Sequence, residues 1–170
     1  NLSMFDLKKN IVKYGAPGTG KTYTCKIDAE KHFKFWKTTK GTAYQGSFSE
    51  HLETVQFHPS FSYEDFMEGI RPVPAAHGNT QLRLTNRIFK KFCKKAAQWE
   101  MEVYALFKER NWSTKPFTSL RIKEVQAQLT SPRWVYLQGI KDENDDNPKL
   151  LQDYLPPFYF IIDEINRAEL

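Results

Sequence analysis

Eight consecutive residues, Gly15 to Thr22, have the types and spacing of a loop that binds phosphate. They fit the pattern GxxxxGK[ST]. Glycines let the backbone turn so that several N–H groups converge on phosphate oxygens, and a helix that begins at the end of the loop adds its positive partial charge. In this pattern Lys21 bridges the β- and γ-phosphates of a nucleotide and Thr22 binds Mg²⁺. The predicted nucleotide-binding residues are Gly15, Ala16, Pro17, Gly18, Thr19, Gly20, Lys21, Thr22 and Tyr23.

A second candidate site is the acidic pair Asp163-Glu164, which follows the apolar run Phe158–Ile162. Such a run is typical of a parallel strand buried on both faces, and ligands bind at the carboxyl ends of strands in open α/β sheets. We therefore predict that Asp163 holds Mg²⁺ and that Glu164 orients and deprotonates an attacking water. Glu164 and Lys21 are the predicted catalytic residues. A glutamate directly after the metal-binding aspartate favours hydrolysis over phosphoryl transfer to a small molecule.

The segments around the loop have the expected context for phosphate binding. Ile11–Tyr14 predicts a strand that leads into the loop, and a helical pattern begins at Lys21. Glu53–His58 alternates around two apolar residues and predicts a second strand. Trp134–Leu137 predicts a further strand, and the polar segment Lys141–Asn147 predicts a solvated loop.

Two helices are predicted between these strands. Ser62 and Asp65 resemble a capping box that opens a helix through Glu68, with Gly69 placed to end it. The prolines and glycine that follow predict an exposed hairpin tip. An apolar stripe predicts a long helix over Asn86–Arg110. Four lysines lie mostly off that stripe and are expected on a solvated face; they are Lys90, Lys91, Lys94 and Lys95.

The composition of the 170 residues fits one globular domain. The longest apolar run has five residues, which is too short to span a bilayer. Two cysteines and four scattered histidines show no metal-binding spacing, so we expect a reducing, cytoplasmic compartment and no membrane partner. The net charge of +5 favours an anionic partner. Nucleotide phosphate already supplies one, and nucleic acid remains an alternative.

Three stretches together resemble the AAA+ family of McrB-type NTPases. They are YGAPGTGKTY (Tyr14–Tyr23), VQFHPSFSYEDFMEGIRP (Val55–Pro72) and FIIDEINRA (Phe160–Ala168). The middle stretch distinguishes McrB-type proteins from other NTPases, because phosphate loops and acidic pairs occur in many of them. The resemblance implies an α/β three-layer sandwich with a parallel sheet, in which Gly15–Thr22 is the Walker A loop and Asp163-Glu164 is the Walker B pair.

The same resemblance implies an Mg²⁺-dependent ATPase or GTPase that is the motor subunit of a DNA restriction complex. Such a subunit forms a ring, expected as a hexamer, works with a McrC-like nuclease subunit, and reaches DNA through other domains of the full-length protein. Arg167 would lie near a subunit boundary. The Tyr63–Gly69 helix and the loop after it would lie toward the central pore of the ring.

Two departures from the family pattern shape the expected domain organisation. Residues 1–170 would be the N-terminal part of a nucleotide-binding domain, because the family's sensor, arginine finger and helical lid are expected beyond Leu170. The stretch from about 98 to 155 is longer than the expected link before Walker B, and we interpret it as a family-specific insertion.

Two other functions stay open from the sequence. A MoxR-like protein remodeller would use the same hydrolysis, and the run IDEINRA (Ile162–Ala168) is similar to that class as well. A nucleotide-gated binding or scaffold module would bind nucleotide and hydrolyse little, although Glu164 argues against it. The sequence carries no signature for adenine or guanine, so ATP and GTP both remain candidates.

Overall fold

The computed structural model describes Phe5, residues 8–110 and residues 116–167. The chain forms two compact units. The first unit consists of the described residues of Asn1–His51 and Trp99–Tyr159, and the second of the described residues of Leu52–Gln98 and Phe160–Leu170. The helices are α1 Lys21–Thr39, α2 Tyr63–Phe66, α3 Ile88–Arg110, α4 Ile122–Val125 and α5 Leu151–Tyr154. The strands are β1 Leu52–Gln56, β2 Glu68–Pro74, β3 Thr80–Asn86 and β4 Tyr159–Asp163.

The strands β1 and β4 form a parallel pair. The N–H of Phe57 donates to the carbonyl of Asp163 at 2.9 Å, which joins the carboxyl ends of the two strands. Phe57 is buried, and its ring stacks on Phe61 at a centroid distance of 4.7 Å. The pairing confirms both predicted strands and the α/β class, and it places Asp163 at a carboxyl strand end as predicted.

The strands β2 and β3 form an antiparallel hairpin with register from Glu68↔Asn86 to Pro74↔Thr80. The predicted hairpin tip is confirmed, and Gly78 adopts φ 74° there. The predicted helix from Ser62 to Glu68 is too long, because α2 ends at Phe66 and Glu68 already pairs in β2. Its capping residues are confirmed, since the Asp65 carboxylate accepts hydrogen bonds from the Ser62 N–H and hydroxyl.

Two predicted strands are absent from the described residues. Ile11–Tyr14 has no assigned secondary structure, and Val12 and Tyr14 are 74% and 93% exposed. A strand needs a neighbour that satisfies its N–H and C=O groups, and no described segment pairs with this one. Trp134–Leu137 lies instead in a 3₁₀ helix, Pro132–Leu137. Pro132 favours this outcome because its fixed φ suits the first turn of a helix.

The core of the first unit is rich in aromatic rings and encloses His51, which is 2% exposed. His51 Nδ1 lies 3.1 Å from the Pro157 carbonyl, which can only accept, so Nδ1 carries the hydrogen. Nε2 therefore accepts from the Tyr44 hydroxyl at 2.6 Å. Burial raises the pKa of Tyr44 to about 12. His51 thus satisfies two distant polar groups inside the core and has a structural role.

The predicted solvated loop at Lys141–Asn147 contains a buried carboxylate. The side chain of Asp142 is 1% exposed and accepts two hydrogen bonds from the Arg121 guanidinium, each at 3.0 Å. The Lys149 N–H adds a third at 2.9 Å. The hydrogen bonds from Arg121, with help from Lys149 and against the effect of burial, lower the pKa of Asp142 to about 2.

The depressed pKa of Asp142 predicts a loss of stability in acid. A carboxylate with a lower pKa in the folded state than in the unfolded state (about 3.9) contributes stability above the unfolded value. This contribution disappears as pH falls through the folded pKa of about 2. Asp142→Asn should therefore lower the free energy of unfolding at pH 7 by on the order of 2 kcal/mol. Urea denaturation at a series of pH values measures this difference in the free energy of unfolding between variant and wild type. The difference should disappear between about pH 4 and pH 2.

Asp145→Asn is the matched control for this prediction. Asp145 pairs with the same guanidinium, but its side chain is 76% exposed. Exposed ion pairs contribute little, so this variant should unfold near the wild-type urea midpoint. If both variants lost the same free energy of unfolding at pH 7, the larger contribution of the buried Asp142 would be contradicted.

Candidate nucleotide-binding site

The loop Gly15–Gly20 needs glycine for its backbone. Gly15, Gly18 and Gly20 have φ values of 152°, 75° and 71°, a region that other residues rarely adopt. A Cβ built at any of the three would meet no heavy atom within 4 Å. Glycine is therefore required at these positions by the positive φ values of the backbone and not by a lack of space for a side chain. The space over the loop is open, which fits a ligand bound against its N–H groups.

The side chain of Lys21 folds over this loop. Its Nζ donates to the carbonyls of Gly15 at 3.0 Å and of Ala16 at 2.7 Å. The Thr19 hydroxyl donates to the same Ala16 carbonyl at 2.9 Å. The ammonium is thereby held at the loop by exposed hydrogen bonds, which are weak enough for an anionic ligand to displace.

The helix α1 begins at Lys21, directly after Gly20 in the left-handed conformation. The N–H of Thr24 donates to the Gly20 carbonyl at 2.9 Å, so the N–H groups before it have no partner within the helix. No acidic residue occupies the first turn. The start of α1 therefore offers free donors and a positive dipole end, which suits phosphate. Thr22 lies in this first turn, and Tyr23 beside it is 70% exposed.

An ion pair connects the segment before the loop to α1. Lys13 Nζ lies 2.5 Å from Asp28 Oδ2, and both side chains are partly buried. The pair joins residues 15 positions apart on the two sides of the loop. It holds the incoming segment against the helix where the predicted strand pairing is missing.

Glu164 has an unusual backbone. Its φ of 55° is the one positive value among the described residues that are not glycine. Three interactions hold it: its N–H donates to Asp163 Oδ1 at 3.1 Å, its carbonyl accepts from the Arg167 N–H at 2.9 Å, and its Oε2 lies 3.0 Å from Arg167 Nε. Such a conformation costs about 1–3 kcal/mol and is frequent at functional sites.

The role of Arg167 was not predicted by sequence reasoning. The sequence suggested a place near a subunit boundary, which remains a prediction, whereas the structure shows its guanidinium on Glu164. Its position three residues after Glu164, with the short 3₁₀ helix Ile165–Arg167 between, is the signal that could have indicated the pair. The ion pair engages Oε2 of Glu164, so it competes with the orientation that the carboxylate would need to act on a water.

We therefore expect Arg167→Gln to raise the basal rate of nucleotide hydrolysis. The pair is exposed, since the side chains of Arg167 and Glu164 are 57% and 37% accessible. Such a pair holds the carboxylate with about 0.2–1 kcal/mol, so the increase should not exceed about fivefold. Steady-state phosphate release measures it, and Arg167→Lys is the control that keeps the charge. A fall in rate with Arg167→Gln would show instead that Arg167 assists the reaction.

The predicted Mg²⁺ ligands have the right chemistry. The Thr22 hydroxyl and the Asp163 carboxylate are hard oxygen donors, the type that Mg²⁺ prefers. Among the described residues no group of three or more His, Cys, Asp or Glu side chains could hold a metal ion. Mg²⁺ at nucleotide sites is usually bound through one or two protein ligands and substrate phosphates. The loop lies in the first unit and the acidic pair in the second. Their joint action on one nucleotide is part of the proposal below.

Comparison with known proteins identifies two relatives, although no protein-family model matches the chain. The chain is 34% identical over 103 residues to the "Type IV methyl-directed restriction enzyme EcoKMcrB subunit" of Escherichia coli (strain K12), which covers 61% of this chain and 19% of that subunit. It is 28% identical over 124 residues to the "Adenylate kinase isoenzyme 6 homolog" of Drosophila melanogaster, which covers 67% of each.

These similarities and the geometry of the loop support a nucleotide-binding P-loop protein. The chain spans 19% of the length of the restriction subunit, so the similarity concerns a part of that protein. In the part of the chain that the structure describes, no helix has the length and apolar character needed to cross a membrane.

Proposed function

We propose that this chain binds Mg²⁺-ATP or Mg²⁺-GTP at the loop Gly15–Thr22 and hydrolyses it with Glu164 as the base. The observation that carries the proposal is the loop itself. Three glycines with positive φ, the ammonium of Lys21 at 2.7 Å and 3.0 Å from loop carbonyls, and free N–H groups at the start of α1 form one continuous anion-binding surface. Asp163 and Glu164 add the acidic groups that hydrolysis needs.

Each proposed residue has a definite task in the reaction. The backbone N–H groups of the loop and Lys21 bind the phosphates and neutralise the charge that develops on them. Thr22 and Asp163 would hold Mg²⁺, which supplies Lewis-acid polarisation of the terminal phosphate. Glu164 accepts a proton from the attacking water. The exposed Tyr23 borders the phosphate site and completes the proposed nucleotide-binding set.

The finer assignment is to a motor subunit like those of McrB-type restriction systems. The similarity to the EcoKMcrB subunit supports it, together with the stretch Val55–Pro72, which contains the end of β1, all of α2 and most of β2. In this assignment the full-length protein forms a ring in the cytoplasm, works with a McrC-like nuclease subunit and acts on DNA. The insertion at about 98–155 and the pore-facing place of the α2 region belong to the same assignment.

A second candidate function is phosphoryl transfer to a small acceptor. The similarity to an adenylate kinase homolog favours it. Glu164 opposes it, because a base that activates water next to the metal site would waste the nucleotide in a kinase. The two functions differ in whether turnover requires an acceptor nucleotide.

One assay separates these functions. The protein is incubated with Mg²⁺-ATP or Mg²⁺-GTP, with and without AMP, and inorganic phosphate and nucleoside diphosphate are both measured. A hydrolase releases phosphate in proportion to diphosphate, and AMP changes neither. A kinase forms diphosphate only with AMP and releases no phosphate, which would overturn the proposal. Tight binding without turnover in either condition would favour the nucleotide-gated switch.

A further inference from the structure

The hairpin of β2 and β3 has one face made of apolar side chains. Its register pairs Ile70 with Leu84 and Pro72 with Leu82. Residues directly opposite each other, and residues two apart along a strand, lie on the same face of a sheet, so these four side chains form one patch. Ile70, Leu82 and Leu84 are 63%, 72% and 64% exposed. Grouped apolar side chains that face solvent are typical of a surface at which another chain binds.

The hydrogen bonds at the two ends of the hairpin determine which backbone groups face outward. At the tip the Ala75 N–H donates to the Asn79 carbonyl at 2.8 Å. At the base the Arg87 N–H donates to the Met67 carbonyl, also at 2.8 Å. Hydrogen-bonded pairs recur at every second residue of an antiparallel ladder. The residues of the apolar face therefore belong to the pairs between them, whose N–H and C=O groups point away from the partner strand.

The two outer edges of the hairpin differ in what they offer to a further strand. On β2, the outward positions Pro72 and Pro74 have no N–H, which blocks strand addition at that edge. On β3 the outward positions are Thr80, Leu82, Leu84 and Asn86, all of which have an N–H. Among the described residues β3 pairs with β2 and with no other strand. A seven-residue edge without proline is thus open beside exposed leucines.

The charge between the two leucines indicates which kind of strand fits this edge. Arg83 lies between Leu82 and Leu84, projects from the other face of β3 and is exposed. If a second copy of the chain added its own β3 here with the leucines paired, the two Arg83 side chains would lie opposite each other. Like charges in that position destabilise a sheet, whereas opposite charges stabilise it. An acidic residue opposite Arg83 is therefore favoured over a second copy.

We infer that the outer edge of β3 binds an extended segment of a partner protein in which apolar residues alternate with acidic ones. The backbone of the segment pairs with the outward N–H and C=O groups of β3. Its apolar side chains pack beside Leu82 and Leu84, and an acidic side chain lies opposite Arg83. This surface belongs to the hairpin alone, so the inference does not depend on nucleotide binding or hydrolysis.

The test uses two labelled synthetic peptides of about eight residues, in which Val alternates with Glu or with Lys. Fluorescence anisotropy with the full chain at low salt should show saturable binding of the Val-Glu peptide. Arg83→Glu should weaken this binding by about tenfold or more and strengthen binding of the Val-Lys peptide. Lys91→Glu is the matched control, because it makes the same charge change at an exposed position of α3. It should alter both affinities by less than about threefold.

A pair of proline variants tests the edge itself. Leu84→Pro removes an outward N–H and an apolar side chain from β3 without removing a hydrogen bond of the hairpin, and it should weaken binding of the Val-Glu peptide by about tenfold or more. Ile70→Pro makes the same two changes at the β2 edge and should stay within about threefold of wild type. Leu84→Thr keeps a residue favoured in strands and should lose about threefold or more, which preserves the test if Leu84→Pro does not fold.

Three results would overturn the inference. The first is that wild type binds neither peptide, and the second is that Leu84→Pro and Ile70→Pro, both folded by circular dichroism, lose equal affinity. The third is a dimer of the wild-type chain, detected by light scattering without peptide, that Leu84→Pro dissociates. That result would show that a second copy occupies the edge.

Discussion

Glu164→Gln is expected to abolish most hydrolysis while nucleotide still binds. Glutamine keeps the size of the side chain but cannot accept a proton from water, so turnover should fall by about 100-fold or more, equivalent to about 2.7 kcal/mol in the barrier. Its amide oxygen can occupy the place of Glu164 Oε2, which lies 3.0 Å from Arg167 Nε. The affinity for Mg²⁺-ATP and Mg²⁺-GTP should stay within about twofold of wild type. The substitution removes an interaction that is made only in the transition state, and such an interaction does not contribute to nucleotide binding.

Single-turnover phosphate release and calorimetry measure the two quantities separately. Glu64→Gln, at an exposed position on α2, removes a carboxylate from the same unit and should leave both unchanged. If Glu164→Gln reduced binding and turnover in equal measure, Glu164 would have a structural role. The switch function would then gain support.

Lys21→Ala should weaken nucleotide affinity by roughly 2–4 kcal/mol, which is about 30-fold to 900-fold. In the part of the chain that the structure describes, Lys21 is the basic side chain that donates hydrogen bonds to the loop. Its loss therefore leaves the phosphates without a side-chain cation from the loop. Calorimetric titration with each nucleotide in the presence of Mg²⁺ measures the effect.

Lys26→Ala is the matched control for the loss of Lys21. Lys26 is exposed on the same helix, one turn beyond the loop. Its removal takes away the same charge and should change affinity by less than about threefold. Thermal unfolding should show that both variants are as stable as wild type, because the hydrogen bonds of Lys21 are exposed. Unchanged affinity after Lys21→Ala would refute the phosphate-loop assignment.

Local patterns predicted the parts of the fold whose determinants lie close together in sequence. The alternation around Val55 and Phe57 predicted β1, and both side chains are buried. The apolar stripe predicted α3 to within two residues of Ile88–Arg110. The turn of the loop Gly15–Gly20 and the start of α1 could be predicted for the same reason, since their determinants lie within eight residues.

The failures concern features that depend on distant partners. Ile11–Tyr14 has a strand-like composition, but pairing is decided by a neighbouring strand, which local composition does not reveal. Asp142 lies in the predicted solvated loop, yet its partner Arg121 lies 21 positions away. The burial of His51 likewise depends on a distant partner, Pro157, 106 positions away. The left-handed backbone of Glu164 has no sequence signal, because strain there is maintained by Asp163 and Arg167.

The most direct test of the central claim is whether the loop and the acidic pair hold the same Mg²⁺-nucleotide. A double-mutant cycle with Thr22→Val and Asp163→Asn measures this through the affinity for Mg²⁺-ATP and Mg²⁺-GTP. If both side chains bind one metal ion, the losses of binding free energy in the two single variants should differ from additivity in the double variant by about 1 kcal/mol or more. This coupling energy should vanish when Mg²⁺ is chelated. Losses that add within about 0.3–0.5 kcal/mol, with and without Mg²⁺, would show that the two motifs do not share a site.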